Sequence, residues 1–303
     1  MSGKPIVVVG SINMDLVALA RHIPAAGETV LGTGFRTNPG GKGANQAVAV
    51  ARLGYPVAMV GMVGADDMGR ELRAQLEAAG VDAAGVGTVD GASGVALITV
   101  AETGENSIVV VSGANGAVTP EFVNSQAERI RGAGMVLAQL EIPLESVMRV
   151  AEICRDAEVP LMLDPAPARE LPRELFPMVS WMTPNETEAA FYLGHGSGDA
   201  SAAAAELQGR GVRGVVLKMG ARGAYLADGD GYSTAVKAFA VKALDTTAAG
   251  DAYNGAFATA LMLGRTTVEA ARFAGAASAI SVTRAGAQSS MATMAEALAL
   301  LGA

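Results

Sequence analysis

The sequence predicts an α/β protein: a mostly parallel sheet covered by helices on both faces, with a small antiparallel β lid at its edge. Three patterns carry that reading. Apolar runs of strand length alternate with amphipathic stretches of helix length, two strand pairs break this rhythm with no crossover helix between their members, and the C-terminal part is helical throughout.

The elements follow in order. Ile6 to Val9 is a short continuous apolar run, as expected of a strand buried on both faces, and a helical pattern from Lys42 to Leu53 comes next. Val57 to Val63 reads as a strand and Arg70 to Ala79 as a helix. The alternation resumes with a strand over Met135 to Leu140, a helix over Leu144 to Ala157 and a strand over Leu161 to Leu163. An Ala-rich helix near Ser201 to Gln208 then leads into Val215 to Met219, and Phe239 to Leu244 is strand-like. From Ala249 to Leu301 three helices follow one another, broken near Gly264 and around Arg284 to Ser290. The lid pairs Asp15 to Leu19 with Thr29 to Arg36, and Gly94 to Ala101 with Ser107 to Ser112 around the turn Thr103-Gly104-Glu105-Asn106. We expect one domain over residues 1–303, with lid strands inserted at about 15–36 and 94–112. A lid over the strand C-termini, where open α/β sheets bind ligands, would exclude water from a site there.

Composition narrows the chemistry. Of 303 residues 38 are Gly, two are His and one is Cys, so Cys154 forms no intrachain disulfide and completes no thiolate zinc site. His22 and His195 are isolated, which leaves a Ser-His-Asp triad little room. With 22 basic and 30 acidic residues the net charge is −8, against a nucleic-acid or anionic-membrane surface. No segment is long and apolar enough for a membrane span or a signal peptide, and a reducing, cytoplasmic setting is expected. Catalysis is left to carboxylates, Lys, Asn and backbone amides.

Two glycine clusters open helices. Asn38-Pro39-Gly40-Gly41-Lys42-Gly43-Ala44-Asn45-Gln46 lets backbone approach a ligand and supplies a cation and an amide, although an ordinary strand-to-helix turn accounts for one Gly pair. It is not a Walker A loop, since Gly43 rather than Ser or Thr follows Lys42. Asp245 to Gly255 has small residues at Ala248, Ala249 and Gly250, leaving backbone N–H groups open at a helix N-terminus. Asp251 in that first turn suits either dipole compensation or the acceptance of a proton from an attacking hydroxyl. Asn13, Asp15 and Glu141 fall just beyond strands, as polyol ligands or as turn residues. Asn185 and Glu188 have capping-box spacing, which equally fits a pair holding metal-bound water. Gly209 to Gly214 matches G-x-G-x-x-G, but it follows a helix and opens a strand, the reverse of a dinucleotide fingerprint. Cys154 and Met162 read as core residues.

These motifs, in this order, resemble the ribokinase-like (PfkB) carbohydrate kinases, and the resemblance runs essentially end to end. It is carried by Gly10 to Asp15, Pro24 to Thr29, Gly40 to Ala47, Gln139 to Glu145, Asp164-Pro165-Ala166-Pro167-Ala168, Thr183 to Glu186 and Asp245 to Gly255. It implies the ribokinase-like version of a Rossmann-like fold and ATP-dependent phosphorylation of a sugar's primary hydroxyl. D-ribose phosphorylated at O5 is the expected reaction, with a nucleoside, deoxyribose or another pentose as alternative substrate and a non-catalytic sugar-binding regulator as a different class. The resemblance assigns Asn13, Asp15, Gly41, Lys42, Asn45 and Glu141 to the sugar and Asp251 to the base. Backbone amides of Ala248, Ala249 and Gly250 would form an anion hole for the transferring phosphate. Asn185 and Glu188 would organise Mg²⁺ and its water, while Lys218, Gly220 and Gly223 would border the nucleotide. Asp245, Thr247, Ser281, Arg284, Gly286 and Ser290 would surround an activating monovalent cation, K⁺ by expectation, several through carbonyls. The lid resembles one through which family members form homodimers. Gly275, Lys218 and Ser289 depart from the His, Thr and Pro of the bacterial pattern.

Overall fold

The computed structural model describes residues 3–196 and 198–302. From the N-terminus, β1 (Ile6–Val9) leads into two lid strands, β2 (Asn13–Ala20) and β3 (Gly34–Gly40), and then α1 (Lys42–Arg52). β4 (Val57–Gly64), α2 (Asp67–Ala78) and β5 (Asp82–Val89) return the chain to the body, and β6 (Gly94–Ala101) and β7 (Asn106–Val111) complete the lid. Short α3 (Pro120–Ser125) and α4 (Ala127–Arg131) precede β8 (Met135–Ala138), α5 (Leu144–Asp156), β9 (Leu161–Leu163) and β10 (Trp181–Met182). α6 (Glu186–Leu193), α7 (Ala200–Gly209), β11 (Gly214–Lys218), β12 (Ala224–Ala227) and β13 (Ser233–Val236) follow. α8 (Ala249–Met262), α9 (Thr267–Ser281) and α10 (Met294–Leu301) end the chain.

The body is a nine-stranded sheet of order β13-β12-β11-β10-β9-β8-β1-β4-β5, parallel from β11 to β5. β1 and β8 are buried at every residue, because one apolar cluster packs on each face of the sheet. Phe257 and Phe273 anchor one cluster, Leu161 and Ile153 the other. Among the described residues no helix is long and apolar enough to cross a membrane.

Some boundaries differ from expectation for physical reasons. α2 begins at Asp67 rather than Arg70, because the Asp66 carboxylate accepts the Gly69 amide at 2.7 Å and caps the helix earlier. Phe239 to Leu244 forms no strand: β13 closes that edge of the sheet at Val236, the segment lines a cavity instead, and the chain bends at Leu244. The second lid strand is Gly34–Gly40 rather than Thr29 to Arg36 and runs through Pro39, which an edge strand tolerates. The lid's outer pairs, β2 with β3 and β6 with β7, are antiparallel, while the central contact of β2 with β6 is parallel. β2 and β6 each leave the body just after a parallel strand, so they set out in the same direction. Gly209 to Gly214 runs from α7 into β11; Gly211 turns at φ 111° and Gly214 leaves room for the Trp181 ring.

Candidate active site

The chemistry-bearing residues gather beyond the C-terminal ends of β1, β8, β9, β10 and β11, under the lid. Asp251 lies in the first turn of α8 and is almost wholly buried. Asn45 Nδ2 donates to its Oδ2 at 3.0 Å and Gln46 Nε2 to its Oδ1 at 3.0 Å, so α1 aims the carboxylate. Gln46 Nε2 also reaches Asp164 Oδ2 at 3.1 Å, and Gln46 Oε1 accepts Gln139 Nε2 at 2.8 Å. Burial pushes the Asp251 carboxyl upward and the Lys42 ammonium opposes that push, which keeps the group within reach of both protonation states. Burial alone would lower Lys42, but Asp251, Asp164, Glu141 and Glu188 outweigh it and hold the ammonium protonated.

The sugar-side residues converge. Asp15 stands on β2, and its carboxyl is raised to about 7 by burial first and then by Glu141 and Asp251. A Cβ on Gly40 would lie 2.4 Å from that carboxylate, so Gly40 gives Asp15 its place. Asn13 Oδ1 accepts Asn115 Nδ2 at 2.6 Å, in a space that a side chain at Gly94 would fill. Glu141 accepts the Ser11 hydroxyl at 2.5 Å and the Lys42 amide at 3.1 Å. Asn45 Oδ1 is buried and meets no partner among the described residues, an acceptor suited to a hydroxyl donor. Ser11, Gln46, Asn115, Gln139 and Asp164 were not singled out from the sequence. Ser11, Gln46, Gln139 and Asp164 lie inside the motifs named above, whereas Asn115 comes to Asn13 only through tertiary folding.

Ala248, the N-cap of α8, lies in the left-handed region at φ 58° and makes no side-chain cap. The Ala249 amide turns back to the Thr246 carbonyl at 3.2 Å, while the amides of Ala248, Gly250 and Asp251 meet no acceptor among the described residues. Beside this helix end is a cavity of about 360 Å³ lined by Gly220, Gly223, Phe239, Thr246 and Gly275. Gly220 and Gly223, both at positive φ, turn the chain between β11 and β12; a Cβ on Gly223 would strike the Val236 carbonyl at 2.0 Å. A second cavity of about 400 Å³ lies between β7 and the Leu140–Pro143 segment and includes Glu141. A larger one, about 470 Å³, lies at the opposite, N-terminal ends of β1, β4 and β5, between Pro5, Pro56, Asp82 and Arg129, and includes none of the residues above; size alone does not mark the site.

Asn185 and Glu188 form the reciprocal capping box of α6: Asn185 Oδ1 accepts the Glu188 amide at 2.8 Å and Glu188 Oε2 accepts the Asn185 amide at 2.7 Å. Burial raises Glu188 and Lys218 opposes. Asp245 accepts the Thr247 amide at 2.9 Å through Oδ1 and the Gly286 amide at 2.9 Å through Oδ2. Burial pushes Asp245 up, but the Thr247 hydroxyl, donating at 2.6 Å, together with these amides outweighs it, and its carboxyl lies below the usual range. The end of α9 closes the same loop, since Leu244 and Asp245 both donate to the Val282 carbonyl. Ser281 and Ser290 turn their hydroxyls to the Ser278 and Ala287 carbonyls, and Arg284 pairs with Glu296. Among the described residues no three His, Cys, Asp or Glu side chains cluster to hold a metal ion.

An open helix end facing a buried carboxylate, with hydroxyl-sized polar positions on the other side, is the equipment of a small-molecule kinase. Comparison with known proteins narrows that class. The model of the pfkB family carbohydrate kinases matches residues 4–294, and the chain belongs to this family. It is 41% identical over 302 residues to the ribokinase of Haemophilus influenzae, covering 98% of each chain. It is 43% identical over 302 residues to that of Bacillus subtilis, covering 98% of this chain and 99% of the other. The solved structure of Arabidopsis thaliana ribokinase complexed with ribose and ATP superposes with a TM-score of 0.93 at 35% identity, covering 99% of each chain.

Proposed function

We propose that this chain is a ribokinase that transfers a phosphoryl group from ATP to O5 of D-ribose, giving D-ribose 5-phosphate. The observation that carries this reading is Asp251, buried beside an uncapped helix N-terminus and aimed by Asn45 and Gln46. Asn13, Asp15, Gly41, Lys42, Asn45 and Glu141 hold the sugar hydroxyls, and the orphaned Asn45 Oδ1 fits that task. Asp251 takes the O5 proton as the O5–phosphorus bond forms, and the electron pair of the broken phosphorus–oxygen bond leaves on ADP. The α8 amides at Ala248, Ala249 and Gly250 stabilise the spreading charge, with the Ala249 amide released from Thr246. Gly220, Gly223 and Lys218 border the nucleotide, and the lid keeps water from competing with O5.

Mg²⁺, when bound with the nucleotide, neutralises phosphate charge; Asn185 and Glu188 Oε1, the oxygen outside the capping box, would hold its water. The loop of Asp245, Thr247 and Gly286, with Ser281, Arg284 and Ser290 beside it, fits a monovalent cation such as K⁺, because its carboxylate is held ionised. β7 ends the lid sheet with Ile108 to Val111 exposed, which supports a homodimer through that edge. The single, buried Cys154 suits a reducing, cytoplasmic setting. An ADP-release assay with ribose, deoxyribose, fructose and adenosine tests the reading: ribose should give the highest kcat/KM, and a clear preference for adenosine would overturn the substrate.

A further inference from the structure

Lys218 ends β11, and its ammonium donates to Asp164 Oδ1 at 3.0 Å. The pair is largely withdrawn from water, with side chains 14% and 3% exposed. Asp164 is itself held from the other side by Gln46, the residue that also aims Asp251. A Lys218–Asp164–Gln46–Asp251 chain therefore links the end of β11 to the catalytic carboxylate.

An ammonium carries three donors, and Asp164 is the only acceptor Lys218 meets among the described residues. Its position makes this informative. A Cβ built on Gly250 would lie 3.3 Å from Lys218 Nζ, which places the ammonium over the first turn of α8, beside the amides that lack acceptors. A purely stabilising purpose is a weak reason for the pair, since a buried ion pair contributes little over apolar residues of similar shape. The local charge gives a stronger one. Asp251, Asp164 and Glu188 crowd the same space, and a triphosphate arriving there needs a cation on its own side of the carboxylates.

We propose that Lys218 is a catalytic residue of this chain: its ammonium, anchored on Asp164, contacts the transferring phosphoryl group at the N-terminus of α8. This rests on the kinase reading above but goes beyond a bordering role at the nucleotide. Lys218 keeps its proton throughout. The O5 proton goes to Asp251, the new phosphorus–oxygen bond forms at O5, and the old one breaks toward ADP, while the lysine offsets charge on the phosphoryl oxygens.

The test compares Lys218→Met with the unsubstituted protein by calorimetric titration of Mg²⁺-ADP and of the Mg²⁺ β,γ-methylene triphosphate analogue, together with steady-state kinetics. Loss of one charge-assisted contact should weaken the triphosphate about tenfold or more, leave ADP within about threefold, and lower kcat by about 10²-fold with ribose KM little changed. Lys218→Arg should restore most of the triphosphate preference. Equal weakening of both nucleotides, or none of either, overturns the proposal. If the Met variant does not fold, reductive methylation of the unsubstituted protein answers the same question: the triphosphate analogue should protect Lys218 and ADP should not, and equal protection counts against the contact. The nucleotide titrations use no sugar, so absence of ribose phosphorylation by the unsubstituted protein would defeat the functional reading and leave this comparison readable.

Discussion

Two of the helices that begin in the candidate active site, α1 and α8, have N-termini built in opposite ways. At α1 the protein fills the first turn itself: the Lys42 amide donates to Glu141, Gly43 to the Ser11 hydroxyl, Ala44 to the Ser11 carbonyl and Asn45 to the Gly41 carbonyl. At α8 the amides of Ala248, Gly250 and Asp251 have no acceptor among the described residues. The first end is closed and serves as a platform that presents Lys42, Asn45 and Gln46. The second is open, with donors left available at the positive end of the helix dipole. Glycine density does not separate the two, since the closed end is the more glycine-rich; what separates them is whether a neighbouring segment comes close enough to supply acceptors.

Removing the carboxylate at the open end should have the largest effect. Asp251→Asn keeps the size of the side chain and should lower kcat by about 10²–10⁴-fold with modest loss of ribose binding, measured by ADP release. Near-normal turnover would take Asp251 out of the base role. Gly250→Val should lower kcat by about 10²–10³-fold, because a branched side chain crowds the open amides and displaces Lys218. Unimpaired turnover would mean that phosphate is stabilised elsewhere.

At the closed end the expected loss is in stability. A Cβ on Gly43 would meet the Gly10 carbonyl carbon and the Ser11 amide nitrogen at 2.7 Å, so Gly43→Ala should destabilise by about 1–3 kcal/mol in denaturant unfolding. A change in nucleotide affinity with no change in stability would contradict the closed description of α1.

The smallest effect concerns pH. The Asp15 carboxyl, raised to about 7 by burial and by its acidic neighbours, binds its proton more tightly folded than unfolded. It therefore penalises the native state above about pH 7, and the penalty is relieved as pH falls through that value. Asp251 acts in the same direction. Melting temperatures of the ligand-free protein should carry a component that rises from pH 8 toward about 6, and Asp15→Asn should flatten it. An unchanged slope in the variant would show that Asp15 titrates elsewhere.

Much of this arrangement is legible along the chain because it is local. Continuous apolar runs such as Ile6 to Val9 mark strands buried on both faces, and the capping-box spacing of Asn185 and Glu188 marks the start of α6. The reversed context of Gly209 to Gly214 excludes a dinucleotide fingerprint without coordinates. The segments misread or left unassigned are those whose state depends on what lies beside them. Phe239 to Leu244 has strand composition but no strand to pair with, and β10 is a strand of two residues held only by β9 and β11.

The sequence by itself determined the layered α/β plan, the lid insertions, the two glycine-rich helix starts and the candidacy of Asp251, because each is written in periodicity or in contiguous motifs. Tertiary structure decided the rest. It brought Asn115 to Asn13 and Asp164 to Lys218, joined Gln46 to both Asp164 and Asp251, and left one helix end satisfied and the other open. The physical reason is that a donor's availability depends on its distance to acceptors supplied by segments remote in the chain, and periodicity carries no record of that distance.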